Sequence, residues 1–321
     1  MVIIYAAGND GVDASRDGIT DLAQIGAHAA AKNCITVGAS ENDRPDLKLT
    51  YSAFGFRVQP IMNDRLSNNP AGMAAFSSRG PTKEQRIKPD VVAPGSIILS
   101  AHSLKAAPST TFGVYPDSEW FYDAGTSMAT PLVAGCVAVI RETLIIHGVL
   151  NPTAALIKAL LINGAKDLPG QYVPSEAGLS PNNSSGFGLV DLKNSIILPG
   201  SRDNAGFLEG GPLTQGKEET FTINISDELQ SARELKITLV WSDPPGADLQ
   251  NDLDLIVIAA DGAERHGNMG ASSRFDHANN VEQISWAQIP PGPAKAVVRA
   301  SRITKFPQPF AVVWKLNEGV Q

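Results

Sequence analysis

The sequence predicts an α/β layer fold followed by an all-β antiparallel jelly-roll or sandwich. Three observations predict it. Up to about residue 195, short apolar runs alternate with helical patterns, the grammar of strands and helices in layers. Beyond residue 212, short runs alternate apolar and polar residues, turns separate them, and no helical pattern intervenes. Between the two, "PGSRDNAGFLEGGP" (199–212) has the glycine and proline content of a linker. The expected organisation is therefore a layered domain over 1–198, a linker over 199–212 and a β-domain over 213–321.

Each element has its own justification. "VIIYAAGNDG" (2–11) reads as a buried parallel strand that delivers Asn9 at its C-terminal end. "CITVGASE" (34–41) is a second such strand. The polar, turn-rich stretch 44–72 reads as a surface insertion between core strands. "AAFSSRGP" (74–81) and "IKPDVVAPGSIILSA" (87–101) follow. In "YDAGTSMATPLVAGCVAVI" (122–140) a buried helix runs from Met128, with small residues Ala129, Ala134, Gly135 and Ala138 allowing close packing. Gly125 and Thr126 make the turn before it, and Pro131 falls in its first turn, where a missing N–H costs little. "NPTAALIKALLINGA" (151–165) predicts a second helix, with Asn151 as N-cap and Pro152 at its first position. The β-domain strands are "TFTINIS", "LKITLVWS", "LDLIVIAA", "VEQISWA", "AKAVVRASRI" and "FAVVWKL".

Ser127 stands at a helix N-terminus, where free N–H groups and the positive end of the dipole favour a developing negative charge. Two readings stand on placement alone: an N-cap serine, or a nucleophile. The formal charge is −7, which argues against nucleic acid as a partner. No apolar run reaches the length expected of a membrane span, and no signal peptide is present. Cys34 and Cys136 read as free thiols acting as small hydrophobes.

The segments "VIIYAAGNDG", "CITVGASE", "AAFSSRGP", "IKPDVVAPGSIILSA" and "GTSMATPLVAG" resemble, in order, the subtilisin-like serine proteases (subtilases). "LKITLVWSDPPGA", "NDLDLIVIAADG" and "NNVEQISW" resemble the C-terminal β-domain of the large bacterial, oxidatively stable alkaline subgroup. The resemblance implies a partial subtilisin-like doubly wound parallel sheet and a secreted serine endopeptidase (a hydrolase) acting on protein or peptide substrates. It implies that Ser127 attacks the scissile carbonyl and that Asn9 donates its amide to the tetrahedral oxyanion. It implies a substrate pocket lined by Ala6, Ala7 and Gly8, with Gly26 on the other side and Thr126 beside the nucleophile.

The family's triad runs Asp, His, Ser, and its aspartate and histidine turns precede the Ala-Ala-Gly-Asn strand. This sequence contains no Asp-Thr-Gly, Asp-Ser-Gly or His-Gly-Thr. Of His28, His102, His147, His266 and His277, none carries a catalytic signature; His147 lies at the far end of the helix that Ser127 starts. Three readings follow. The chain is the C-terminal portion of a protease cut short, and is inactive alone. It is a pseudoprotease acting as a binding or regulatory module. Or it is one half of a two-chain protease whose partner carries Asp and His. The intact Ser127, Asn9 and turn residues favour the first. A sedolisin-type enzyme would place Asp where Asn9 stands.

In "NDLDL" (251–255), Asp252 and Asp254 are two apart on a strand and leave the same face. They read either as a hydrogen-bonded turn cluster or as hard oxygen ligands suited to calcium. Asp243, Asn251, Asn268, Asn279 and Asn280 are candidate further oxygens. The resemblance implies a structural calcium, through Asp252 or Asp254. No His/Cys cluster marks a transition-metal site.

Overall fold

Parallel strands form where the sequence is apolar on both faces. In the computed structural model, which describes residues 1–103, 105–107, 109–169, 177–201, 204–226 and 233–318, β1 (Ile4–Ala6), β2 (Ile35–Ser40) and β3 (Val91–Pro94) make a parallel sheet in the order β1-β2-β3. Ile4 is in register with Ile35, and Val37 with Val91. All six residues of β2 are buried, as a central parallel strand requires. A buried Lys88–Asp90 pair (2.6 Å) sits before β3, and Asp90 Oδ2 also accepts the Thr36 N–H (2.7 Å). The chain divides into two compact units, one of Ile3–Cys136 and Lys166–Val190, the other of Met1–Val2, Val137–Ala165 and Asp191–Gln321.

The first unit departs from the sequence expectations in two places. β1 is not fully buried, and Tyr5 is 41% exposed. Among the described residues only β2 pairs with it, so one side of β1 has no neighbouring strand. The stretch 44–72 is turn-rich as expected, with 3₁₀ turns at Tyr51–Phe54 and Ile61–Asn63. It is not merely superficial, because Tyr51, Ile61 and Leu66 are buried and the Tyr51 hydroxyl donates to Glu41 Oε1 (2.7 Å). β4 (Ile98–Ala101) and β5 (Trp120–Asp123) form an antiparallel hairpin that leads into α1 (Thr126–Ile146). By length and composition alone α1 is long and apolar enough to cross a membrane, a test that a buried core helix also passes.

The second unit is built on antiparallel strands. These are β6 (Ala205–Leu213), β7 (Glu218–Ile225), β8 (Arg233–Val240), β9 (Asn251–Ile258), β10 (Glu264–His266), β11 (Val281–Ala287), β12 (Gly292–Ile303) and β13 (Gln308–Glu318). They form two four-stranded sheets, β10-β9-β12-β7 and β11-β8-β13-β6. Alternate residues from both sheets, including Leu235, Ile237 and Leu239 of β8 and Leu253, Leu255 and Val257 of β9, share one apolar core with Trp241. The Trp241 indole donates to Asn251 O (2.9 Å).

The same unit includes α2 (Ala154–Gly164) and the one-turn α3 (Leu192–Ser195). Lys236 and Thr238, which alternate with the core residues of β8, serve α2 instead. Asn163 Nδ2 donates to Lys236 O (3.1 Å), Thr238 Oγ1 (3.1 Å) and Val313 O (3.2 Å), and Lys236 Nζ donates to Ala165 O (2.6 Å). The N-cap of α2 is Thr153, not Asn151, because the Thr153 hydroxyl accepts the Leu156 N–H (3.1 Å). The expected linker 199–212 is also shorter than read, since Ala205–Leu213 is β6, paired with β13. Its Gly-Gly-Pro run disguised an edge strand, where proline is tolerated. Residues 202 and 203 of that linker lie outside the described residues.

Candidate active site

The end of β1 and the start of α1 meet over a few ångströms. After Ala6 the chain continues as Ala7, whose N–H donates to Val37 O (2.9 Å), then Gly8 and Asn9. Gly8 has φ +114°, and a Cβ there would lie 2.7 Å from Ser78 Oγ, so only glycine fits. Ser78 secures this corner twice: its N–H donates to Gly8 O (2.9 Å) and its Oγ accepts the Asp10 N–H (3.0 Å).

Asn9 is exposed, but its carbonyl end is fixed. Asn9 Oδ1 accepts both the Thr126 N–H (2.8 Å) and the Thr126 hydroxyl (3.0 Å). The backbone donor can face only the oxygen, so the amide NH2 points away from Thr126. Thr126, fully buried, also receives the Gly8 N–H on its hydroxyl oxygen (3.3 Å). One hydroxyl thus ties β1, Asn9 and the first turn of α1 together. A Cβ at Gly125 would lie 3.1 Å from Asn9 Nδ2, tight enough to favour glycine in that turn.

Ser127 follows Thr126 in the first turn of α1 and is exposed. Among the described residues its hydroxyl has no hydrogen-bond partner. It is not the residue that caps the helix: the Thr126 N–H is served by Asn9 from 117 positions away in sequence. An unencumbered hydroxyl, an amide NH2 with fixed orientation and the N-terminal end of a helix are the parts needed to attack a carbonyl and hold the resulting oxyanion.

No histidine joins them among the described residues. His28 stacks on Tyr5 (centroids 5.9 Å apart). His102 lies against Phe121 with Nδ1 at Ser118 O (3.1 Å), and His147 follows the C-terminal end of α1. His266 and His277 belong to the antiparallel-strand unit. On the other flank, the Gly26 N–H donates to Ala7 O (3.2 Å). A Cβ at Gly26 would meet only that oxygen, at 3.7 Å, so the space beside it is open. Ala6, Ala7, Gly8, Gly26, Thr126 and Ser127 are therefore brought to one locality, while the roles of Thr126 and Ser78 as fasteners are not legible in the sequence.

The two aspartates of β9 are buried. Asp252 Oδ2 accepts from His277 Nδ1 (2.8 Å), and Asp254 Oδ2 accepts from Arg299 Nε (3.0 Å), Arg299 Nη2 (2.7 Å) and the Ser301 hydroxyl (2.7 Å). The other candidate side chains make hydrogen bonds of their own. Asp243 accepts the N–H groups of Gln250 and Asn251, and Asn251 Oδ1 those of Thr304 and Lys305. Asn268 and Asn279 donate to Asp276, and Asn280 to Trp241 O. Two neighbours were missed by sequence reading, His277 and the buried Glu282 of β11.

The model of the Subtilase family matches residues 1–188. "Serine protease AprX" of Bacillus subtilis (strain 168) is 30% identical over 203 residues, covering 61% of this chain and 35% of that protein. "Minor extracellular protease Vpr" of the same organism is 37% identical over 181 residues, covering 53% of this chain and 19% of Vpr. "Serine protease/ABC transporter B family protein tagB" of Dictyostelium discoideum is 29% identical over 313 residues, covering 78% of this chain. The chain spans 16% of the length of tagB.

Proposed function

Because the chain belongs to the subtilase family, we propose that it carries the nucleophile and oxyanion half of a serine endopeptidase that hydrolyses peptide bonds in proteins. Ser127 Oγ attacks the scissile carbonyl. The oxyanion that forms accepts from Asn9 Nδ2, in the positive field at the start of α1. Ala6, Ala7, Gly8 and Gly26 border the residue before the cut, where the open space at Gly26 suits a large apolar side chain. The observation that carries the reading is the double hydrogen bond from Thr126 to Asn9 Oδ1, which leaves the amide protons turned away from Thr126. The site would act outside the cell, as the name of Vpr states for that protein.

An alcohol is a weak nucleophile at neutral pH and needs a base within hydrogen-bond reach. None of the five histidines is hydrogen-bonded to Ser127 among the described residues, and in this reading the base and its acid partner come from other polypeptide, linked or separate. The test is labelling of Ser127 by a serine-directed fluorophosphonate, with turnover of a chromogenic peptide in parallel. The chain alone should label slowly and turn over nothing measurable. Adding polypeptide with the family's aspartate and histidine segments should restore both, and Ser127→Ala should abolish both. Rapid turnover by the chain alone would overturn the division of roles. Binding of peptide without labelling under any condition would favour a pseudoprotease.

A further inference from the structure

The acidic centre of the antiparallel-strand unit carries more than the sequence suggested. One donor atom from each of Asp252, Asp254 and His277 lies within 4.8 Å of the other two. Asp252 Oδ1 and Asp254 Oδ1 are both buried without a hydrogen-bond partner, as is Glu282 Oε1 on the neighbouring β11. Asp254 is wholly buried, and Asp252 and Glu282 are only 3% and 1% exposed. A buried carboxylate oxygen left unpaired is costly. Arg299 meets only Asp254 Oδ2. Burial, then Asp276, Asp254 and Asp252, push the Glu282 carboxyl well above the usual carboxylate range, against the Leu255 N–H it accepts. Burial likewise raises Asp252, with His277 opposing it.

Calcium takes six to eight oxygens. The third group whose donor atom lies within reach of both aspartates is an imidazole nitrogen, which the oxygen-seeking calcium ion does not favour. Two carboxylates and one histidine form a mixed O/N donor set suited to a first-row transition cation with open positions for water. We propose that Asp252, Asp254 and His277 bind a divalent transition cation of the zinc class. The cation replaces the missing partners of the two aspartate oxygens and offsets the repulsion between Asp252, Asp254 and Glu282. It also fastens the connection between β10 and β11, where His277 lies, to β9. The inference is independent of the proteolytic reading.

The test uses the full chain stripped of metal by a chelator. Zn²⁺ at micromolar concentration should raise the melting temperature, and equal Ca²⁺ should not. Co²⁺ should give visible absorption bands that Zn²⁺ displaces. His277 is more than half exposed, so His277→Ala should fold, and it should lose both the zinc shift and the cobalt bands. Asp254→Asn should weaken both. A calcium shift equal to or larger than that of zinc, retained in His277→Ala, would overturn the assignment in favour of an oxygen-only site. No shift with any of the three ions would overturn it altogether.

Discussion

Thr126 holds one carbonyl oxygen with two protons, and the consequence is carried by Asn9. Without the hydroxyl the amide keeps only the backbone N–H as its guide. Thr126→Val should therefore lower kcat by about tenfold in the reconstituted enzyme, the worth of about one hydrogen bond, with KM little changed. Asn9→Ala removes the donor itself and should cost about 10² to 10³ in kcat, the loss measured for the oxyanion-hole asparagine of a subtilisin and taken over from that enzyme. Steady-state kinetics on a chromogenic peptide check both. The placement of Ser127 in the first turn of a helix and of Asn9 just past a strand is legible in the sequence, because both stand in short patterns tied to element ends. Thr126 and Ser78 are not legible as fasteners, because their partners are 117 to 118 and 68 to 70 residues away. His277 escapes notice for the same reason: its partner Asp252 is 25 residues away.

Helices and strands are easier to read than their ends. The apolar periodicity of α2 is plain, yet Asn151 and Pro152 draw its start two residues too early. A hydroxyl at Thr153 sets it instead. Thr153→Ala should destabilise the unit by about 1 kcal/mol. Asn163 is the more consequential residue of α2, because its amide serves three acceptors on β8 and β13. Asn163→Ala strands those acceptors in a buried place and should cost about 1–3 kcal/mol. Urea denaturation of both variants, with unchanged m-values, checks the pair. Sequence order assigns α2 to the layered region, because it follows Ser127. Its Asn163 amide and the Ala165 carbonyl after it meet Thr238 and Lys236 across more than seventy positions, a distance that no local pattern encodes.

At the scale of the molecule, the change of grammar near residue 200 marks the passage to antiparallel strands, and two sheets around one apolar core follow. An apolar run looks alike whether one edge or both are paired, so the open side of β1 is legible only through the resemblance, which implies a partial sheet. Ile3 and Tyr5 are 46% and 41% exposed there. Unpaired edges recruit other strands, so the chain alone should associate as its concentration rises, and Tyr5→Lys should suppress this. Light scattering across a concentration series reads the difference. The bond between Asn9 and Thr126 closes a loop of 117 residues before the proposed oxyanion donor is set. Closing so long a loop is entropically slow to be rewarded, and contacts of large sequence separation delay folding. Chemical competence is therefore a late event in the history of each molecule. During refolding of the reconstituted enzyme, compaction and secondary structure should be complete well before Ser127 can be labelled, so each molecule passes through a folded-looking interval in which its site is still unassembled.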